Sequence, residues 1–200
     1  MGDTISSRTP GRPRRFDAAE AVAKAQSMFH ARGYDAVSVA DLTGALGIKP
    51  PSFYAAFGSK AGLYSRVLER YSESGAIPFA DLLRADRPVA DCLRNVLEEA
   101  ARRYGESPAS PGCLVVEGTR SNDPDAQAAA CVYHDAAEAL IHDYVAARFP
   151  EEAERITDFM DTVMAGLSAM ARRGHGAERL VISARMAGQA LMHELPQDQA

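Results

Sequence analysis

Apolar positions along the chain recur mostly at spacings of three and four rather than in alternation, which predicts helices. From Asp17 onward, Ala21, Val22, Ala25, Met28 and Phe29 mark one helical face, and Gly33 supplies a stop just before Tyr34. Ser38, with Asp41 three residues on, has the spacing of a capping box in an Asp variant. The helix it opens turns Val39, Leu42 and Leu46 inward and ends at Gly47, after which Ile48 packs. The stretch KPPSFYAAFGSK follows, residues 49 to 60. Pro50 and Pro51 suit the first turn of a third helix, where their missing N–H groups would have had no partner. Phe53 and Phe57 are four apart and share a face; Gly58 then ends the helix and Ser59 can cap the next. A helix barely two turns long is marginal alone and must be held by its neighbours. Leu63, Val67, Leu68 and Tyr71 continue a helix that leads out of this module.

The remainder alternates helical stretches with breaks. Pro88 opens a helix holding Leu93, Val96, Leu97 and Ala100. The loop GESPASPG precedes GCLVVEG, a short helix or a buried strand. SNDP then starts a long helix through Leu140, Ile141 and Tyr144 to Phe149. Pro150 restarts another, with Ile156, Phe159, Met160, Val163, Leu167 and Met170 on one stripe. Gly174 and Gly176 break it before a last helix from about Glu178 to Leu191. With no repeat and no convincing strand pair, the expected fold class is all-α.

Composition narrows the function. The chain has 200 residues, enough for one sizeable domain or two small ones sharing a core. No apolar run approaches the roughly 18 residues that suggest a membrane span, and the N-terminus lacks the apolar core of a secretory signal. A cytoplasmic protein without a membrane partner is expected. Cys92, Cys113 and Cys131 are an odd number without metal-like pairing, which argues against a disulfide framework. Residues 1–70 carry 10 Lys and Arg against 6 Asp and Glu, whereas residues 71–200 carry 12 against 21. A cationic end on an acidic body fits a nucleic-acid reader. No Gly-rich phosphate loop, nucleophile elbow or well-spaced metal pair appears, so neither an enzyme nor a cofactor is expected.

Two short helices joined by a tight glycine turn, with a longer helix braced across them, make a helix-turn-helix. The second helix of such a motif enters the major groove with its first residues nearest the bases. Here those are Lys49, Pro50, Pro51 and Ser52: a cation, two flat apolar surfaces suited to thymine methyls, and a small hydroxyl. Tyr54 points away from Phe53 and Phe57 and can reach a backbone phosphate. Lys60 sits at a helix N-terminus, where exposed N–H groups favour a phosphate. A plain helical hairpin would explain the two phenylalanines, but not the polar residues converging on the other face. The preceding arm, PGRPRR, is polar and extended, and Arg12, Arg14 and Arg15 suit an A·T minor groove or the phosphates beside it.

The run from Phe16 to Tyr71 resembles the DNA-binding domain of tetracycline-repressor (TetR) type regulators. The likeness rests on the GY after the first helix, the S-x-x-D-L that opens the second, the LGI turn, and the S-F-Y-x-x-F-x-S-K run. It implies dimers on palindromic double-stranded DNA operators and a divergent C-terminal domain that binds a small-molecule effector and dimerises. It implies phosphate contacts at Ser38, Tyr54 and Lys60, and base contacts at Lys49, Pro50, Pro51 and Ser52. The chain departs from the pattern at Ala55 and Ala56, where many members carry an aromatic residue or histidine. The resulting division is a flexible basic arm over 1–15, a DNA-binding domain over 16–71, and an effector-binding and dimerisation domain over 72–200.

Signals in the C-terminal part are weaker. Tyr104, Cys113, Tyr133, Tyr144, Met160, Met164 and Met170 either line an effector pocket or pack in the core. GCLVVEG resembles a stretch in a branch of the family where a Gly-Cys-Leu cysteine senses electrophiles or oxidants. Cys113 nevertheless adjoins the apolar run Leu114, Val115 and Val116, and a thiol buried among such residues reacts slowly. Packing is the expectation there. Cys131 and His134, three apart on one helix, face one way but lack a clear third metal ligand, so no metal is expected. The stripe Phe159, Val163, Leu167 and Met170 needs a partner. The small residues Ala184, Ala187 and Gly188, with Leu191, suit close helix approach, so the last two helices are expected to form a four-helix dimer interface.

Overall fold

The computed structural model describes residues 17–196, and every regular element among them is helical. Arg12, Arg14 and Arg15 lie outside the described residues. Asp17 starts α1 (Ala18–Arg32) by accepting from the amides of Ala19 and Glu20, donors that a helix start leaves without partners. At α2 (Val39–Leu46) the capping box is complete. The Asp41 amide donates to Ser38 Oγ at 3.1 Å, and the Ser38 amide donates to Asp41 Oδ2 at 2.9 Å. α3 (Pro50–Phe57) carries its prolines in the first turn, and Ser59 caps α4 (Lys60–Ser74) through the Gly62 amide. Phe29, Leu42, Phe53 and Leu63, one from each helix, are fully buried in a shared core. Each such burial contributes about 1.5–3 kcal/mol, which is what holds a helix as short as α3.

Beyond them come α5 (Phe79–Leu82), α6 (Val89–Gly105), α7 (Leu114–Gly118) and α8 (Pro124–Ala146). A single 3-10 turn (Pro150–Glu152) leads into α9 (Ala153–Arg172), and α10 (Ala177–Glu194) follows. GCLVVEG resolves to helix rather than strand, because the amides of Glu117 and Thr119 bond back to the carbonyls of Cys113 and Val115. α8 stops short of Phe149, whose backbone (φ −134°, ψ 69°) lies outside the helical region that a following proline disfavours. α5 was not expected; four residues carry no readable period. Helix α4 is shared, packing against α1 on one side and α8 on the other. No described helix is long and apolar enough to cross a membrane.

The packing of α10 corrects one expectation. Its small residues serve a contact inside the chain, because α10 lies along α6. A Cβ at Gly188 would stand 2.4 Å from Arg94 Cγ, so glycine there is what lets α10 approach α6. Ala184, Gly188 and Leu191 are buried within the chain, and Leu167 is buried too, so none of the four is available to a second subunit. Phe159, Val163, Met170 and Ala187 stay partly exposed, and Ile182 and Met186 stand 60% and 68% exposed on the outer face of α10.

Candidate nucleic-acid interface and internal cavity

The outer face of α3 is polar and open. Lys49, Pro50, Pro51 and Ser52 are all exposed around its first turn, and the Lys49 carbonyl accepts from the amides of Ser52 and Phe53. The Lys49 side chain is not used as a cap. Tyr54 is 50% exposed, its ring set edge-on to that of buried Phe53. Ser38 is exposed, but its hydroxyl already donates to Asp41 Oδ2 at 2.8 Å within the capping box.

Lys60 differs from expectation. Its Nζ donates to the carbonyls of Tyr34 and Val37 at 3.2 and 3.1 Å, and it lies 3.8 Å from the centre of the Tyr34 ring. The ammonium thus ties the start of α4 to the turn between α1 and α2. Most of its hydrogen-bonding capacity is spent inside the protein.

A cavity of about 350 Å³ lies behind this module, within the ~300–1,000 Å³ typical of small-molecule sites. Tyr104, Cys113, Tyr133 and Met164 line it as the sequence suggested, joined by Tyr71 and Phe79. Three expected residues do not, partly buried Met170 among them. Met160 is fully buried in the core, and Tyr144 turns its hydroxyl to the Arg84 carbonyl at 2.8 Å. Both lie on the right helices, but periodicity does not tell a core-facing turn from a cavity-facing one. The polar residues of the wall include His134, Glu138 and Asp161. Tyr71 had read as one more apolar position of α4. Its hydroxyl instead donates toward Cys113 Sγ at 3.8 Å, and burial pushes the phenols of Tyr71 and Tyr104 well above their ordinary range.

The cavity wall connects directly to α1. The amide of Cys113 donates to Ser168 Oγ at 2.9 Å, and the preceding carbonyl, that of Gly112, accepts from the buried His30 ring of α1 at 3.0 Å. A carbonyl can only accept, so His30 carries its proton on Nε2. Burial lowers the His30 pKa; the Gly112 bond opposes that and nearby Arg172 adds to it. Arg172 also donates to the His30 carbonyl at 3.2 Å, and its Nε lies 3.1 Å from the Glu117 carboxylate, an ion pair off hydrogen-bond angle. A second bridge joins the turn after α1 to the start of α8. Tyr34 donates to Asp123, while Asp35 accepts from Ser121 Oγ and from the Asn122 amide and side chain. The Tyr34 hydroxyl holds the Asp123 carboxyl below its usual range. Sequence reasoning missed His30 and Asp123. The one available signal was a histidine at the flank of the apolar stripe of α1, where a solvated residue reads the same.

Comparison with known proteins agrees with this architecture. Residues 21–67 match the family described as bacterial regulatory proteins, tetR family. The chain is 57% identical over 185 residues to the HTH-type transcriptional repressor BdcR of Escherichia coli K12, covering 92% of this chain and 94% of that one. It is 29% identical over 182 residues to the repressor ComR of the same organism, covering 86% and 87%. Among solved structures, a cysteine mutant of the TetR family regulator CifR, complexed with 26-base-pair operator DNA, superposes with a TM-score of 0.78 at 31% identity. That match covers 90% of this chain and 99% of the other. The SCO4454 regulator of Streptomyces coelicolor, at 14% identity and a TM-score of 0.74, shares the fold. The chain belongs to the TetR family: it is a DNA-binding transcriptional regulator of the repressor kind, with an N-terminal helix-turn-helix and a helical C-terminal part.

Proposed function

We propose that this repressor binds a palindromic operator as a dimer and leaves it when a small molecule fills the cavity. The observation that carries the effector reading is the pairing of Gly112 and Cys113. Cys113 faces the cavity, while the adjacent Gly112 carbonyl holds His30 of the helix that braces the DNA-reading module. A ligand that displaces this dipeptide changes the seat of α1 and therefore the aim of α3. That gives the ligand different contacts in the DNA-bound and released states, which allosteric coupling requires.

On the DNA side, Lys49, Pro50, Pro51 and Ser52 sit where base edges are read, and Tyr54 sits at a phosphate. Ser38 lies at the start of α2, and its hydroxyl keeps acceptor capacity for a phosphate-bound water. Lys60 acts through the turn it anchors. The CifR complex with operator DNA supports this docking. For the dimer, the half-exposed stripe Phe159, Val163 and Met170 with Ile182 and Met186 offers apolar surface that a second copy would cover.

Footprinting the purified protein on the DNA upstream of its own gene tests the reading. A protected site with two-fold symmetry is expected. Small molecules that raise Tm should also release that site. Protection without two-fold symmetry would refute the dimeric docking. If every ligand that raises Tm leaves the footprint intact, the protein is a DNA binder without effector control.

A second reading has a specific observation behind it: Cys113 lies on the cavity wall with the Tyr71 hydroxyl directed at its sulfur. An electrophile entering the cavity would meet that thiol. Its burial favours packing over reactivity.

A further inference from the structure

We propose that His134, Glu138 and Asp161 form a binding site for a divalent transition-metal ion, of the class typified by Zn²⁺, on the wall of the cavity. His134 and Glu138 are one turn apart on α8, so they share a face, and α9 packs against that helix and brings Asp161 to it. One donor atom from each residue lies within 4.8 Å of the other two. Three ligands drawn from two packed helices are positioned by the fold rather than by a mobile loop.

The distances between the donor atoms point the same way. His134 Nε2 lies 2.9 Å from Asp161 Oδ1, and Nδ1 lies 3.5 Å from Glu138 Oε2 and 3.8 Å from the exposed Asp135 carboxylate. A metal ion takes a ring lone pair and a carboxylate oxygen, and imidazole can present either ring nitrogen for this, according to its tautomer. A cation lodged among the three groups takes that lone pair and both carboxylates at once. The His134 side chain is mostly buried, while Glu138 and Asp161 keep 40% and 38% of their side chains exposed, which leaves an ion a way in.

The ligand set fixes the class of ion. One imidazole and two carboxylates, with no thiolate, suit Zn²⁺ and its borderline neighbours and disfavour Cu(I). The same three residues line the cavity, so a fourth coordination position opens inward, where water or a donor atom of a cavity ligand would complete the shell. Cys131, three residues from His134 in sequence, is not in this group.

The test uses the full chain, stripped of metal and titrated with Co²⁺ as a spectroscopic substitute for Zn²⁺, with no DNA or effector present. Its result is therefore independent of the operator and effector readings. Saturation at one Co²⁺ per chain, with visible absorption bands that Zn²⁺ abolishes, is the expected result. His134→Gln and Asp161→Asn, checked for native helicity, should each weaken binding by more than the roughly 10–100-fold that loss of an outer-shell partner costs. Cys113→Ser and Cys131→Ser should leave it unchanged. Absence of saturable binding, or binding that survives His134→Gln and Asp161→Asn but fails in a cysteine variant, overturns the proposal.

Discussion

His30 of α1 donates from Nε2 to the carbonyl of Gly112 across 3.0 Å, at a buried point next to the cysteine of the cavity wall. Two residues 82 apart in sequence thus fasten the DNA-reading module to the cavity. His30→Ala should cost about 1–3 kcal/mol, because it leaves a buried carbonyl without a donor. The same change should weaken the link between ligand and DNA. Urea unfolding checks the first, and ligand release of a bound operator checks the second. Normal release in a destabilised His30→Ala protein would show that the bond holds the fold without carrying the signal.

The bond also predicts a pH dependence. Burial sets the His30 pKa below 6.5, so the native ring resists protonation more than the unfolded one. Its contribution is therefore fully present above the unfolded value and is lost as pH falls through the depressed folded value. Stability should decline on acidification below about pH 6.5, and His30→Gln should flatten that decline. Thermal unfolding between pH 7 and pH 5 reads it. Parallel curves for the two proteins would assign the acid sensitivity to other groups.

Lys60 leads to a different expectation from the one its position suggests. Its ammonium serves the carbonyls of Tyr34 and Val37, so Lys60→Met should lower stability by about 1–3 kcal/mol and weaken DNA binding only through the displaced turn. Tyr54→Phe should weaken every sequence alike with Tm unchanged, and Ser52→Ala should shift the preferred site. Salt titrations separate the roles. A Lys60→Met protein with native Tm and a salt slope flatter by about one unit would return Lys60 to the phosphates.

The dimer prediction follows from which apolar residues the chain has already covered. Leu167 is buried, so Leu167→Asp should unfold the protein rather than separate its subunits. Ile182→Asp and Met186→Glu, on the exposed face of α10, should give folded monomers that bind the operator poorly. Light scattering with circular dichroism distinguishes the outcomes. Wild-type protein that is monomeric at micromolar concentration, or an Ile182→Asp, Met186→Glu double variant that still dimerises, would move the interface elsewhere.

Legibility in the sequence followed the range of the forces involved. The helix-turn-helix could be read because its determinants are local: Asp17, Ser38 and Ser59 cap the helices that start beside them, and the prolines of α3 act on their own turn. The stripe of α9 was equally plain, since Phe159, Val163, Leu167 and Met170 have the right period. What covers each member was not, because burial is decided by packing between helices, as where Gly188 lies against Arg94, far from it in sequence. The same limit applies to the cavity. Tyr133 and Tyr144 lie on one helix, and only tertiary packing sends one to the cavity and the other to the Arg84 carbonyl. Asp161 gave no signal as a partner for His134, because 27 residues and a helix junction separate them.

The three cysteines provide the most direct test of the cavity chemistry. All three are free; Cys92 and Cys113 are buried and Cys131 is partly exposed. A thiol-alkylating reagent should therefore label Cys131 first. To isolate Cys113, Cys92 and Cys131 are replaced by serine and alanine, and labelling is followed by mass spectrometry with and without operator DNA. Slow labelling that tracks global unfolding, with operator binding unchanged until then, is the outcome that burial among Leu114, Val116 and the Tyr71 and Tyr104 rings predicts. Tyr71→Phe should change that rate little if packing alone protects the thiol. Fast labelling of the folded protein that releases DNA, slowed by Tyr71→Phe and abolished in Cys113→Ser, would instead make the cavity an electrophile-sensing site. In that case the hydroxyl 3.8 Å from the sulfur would be part of the sensing chemistry rather than part of the packing.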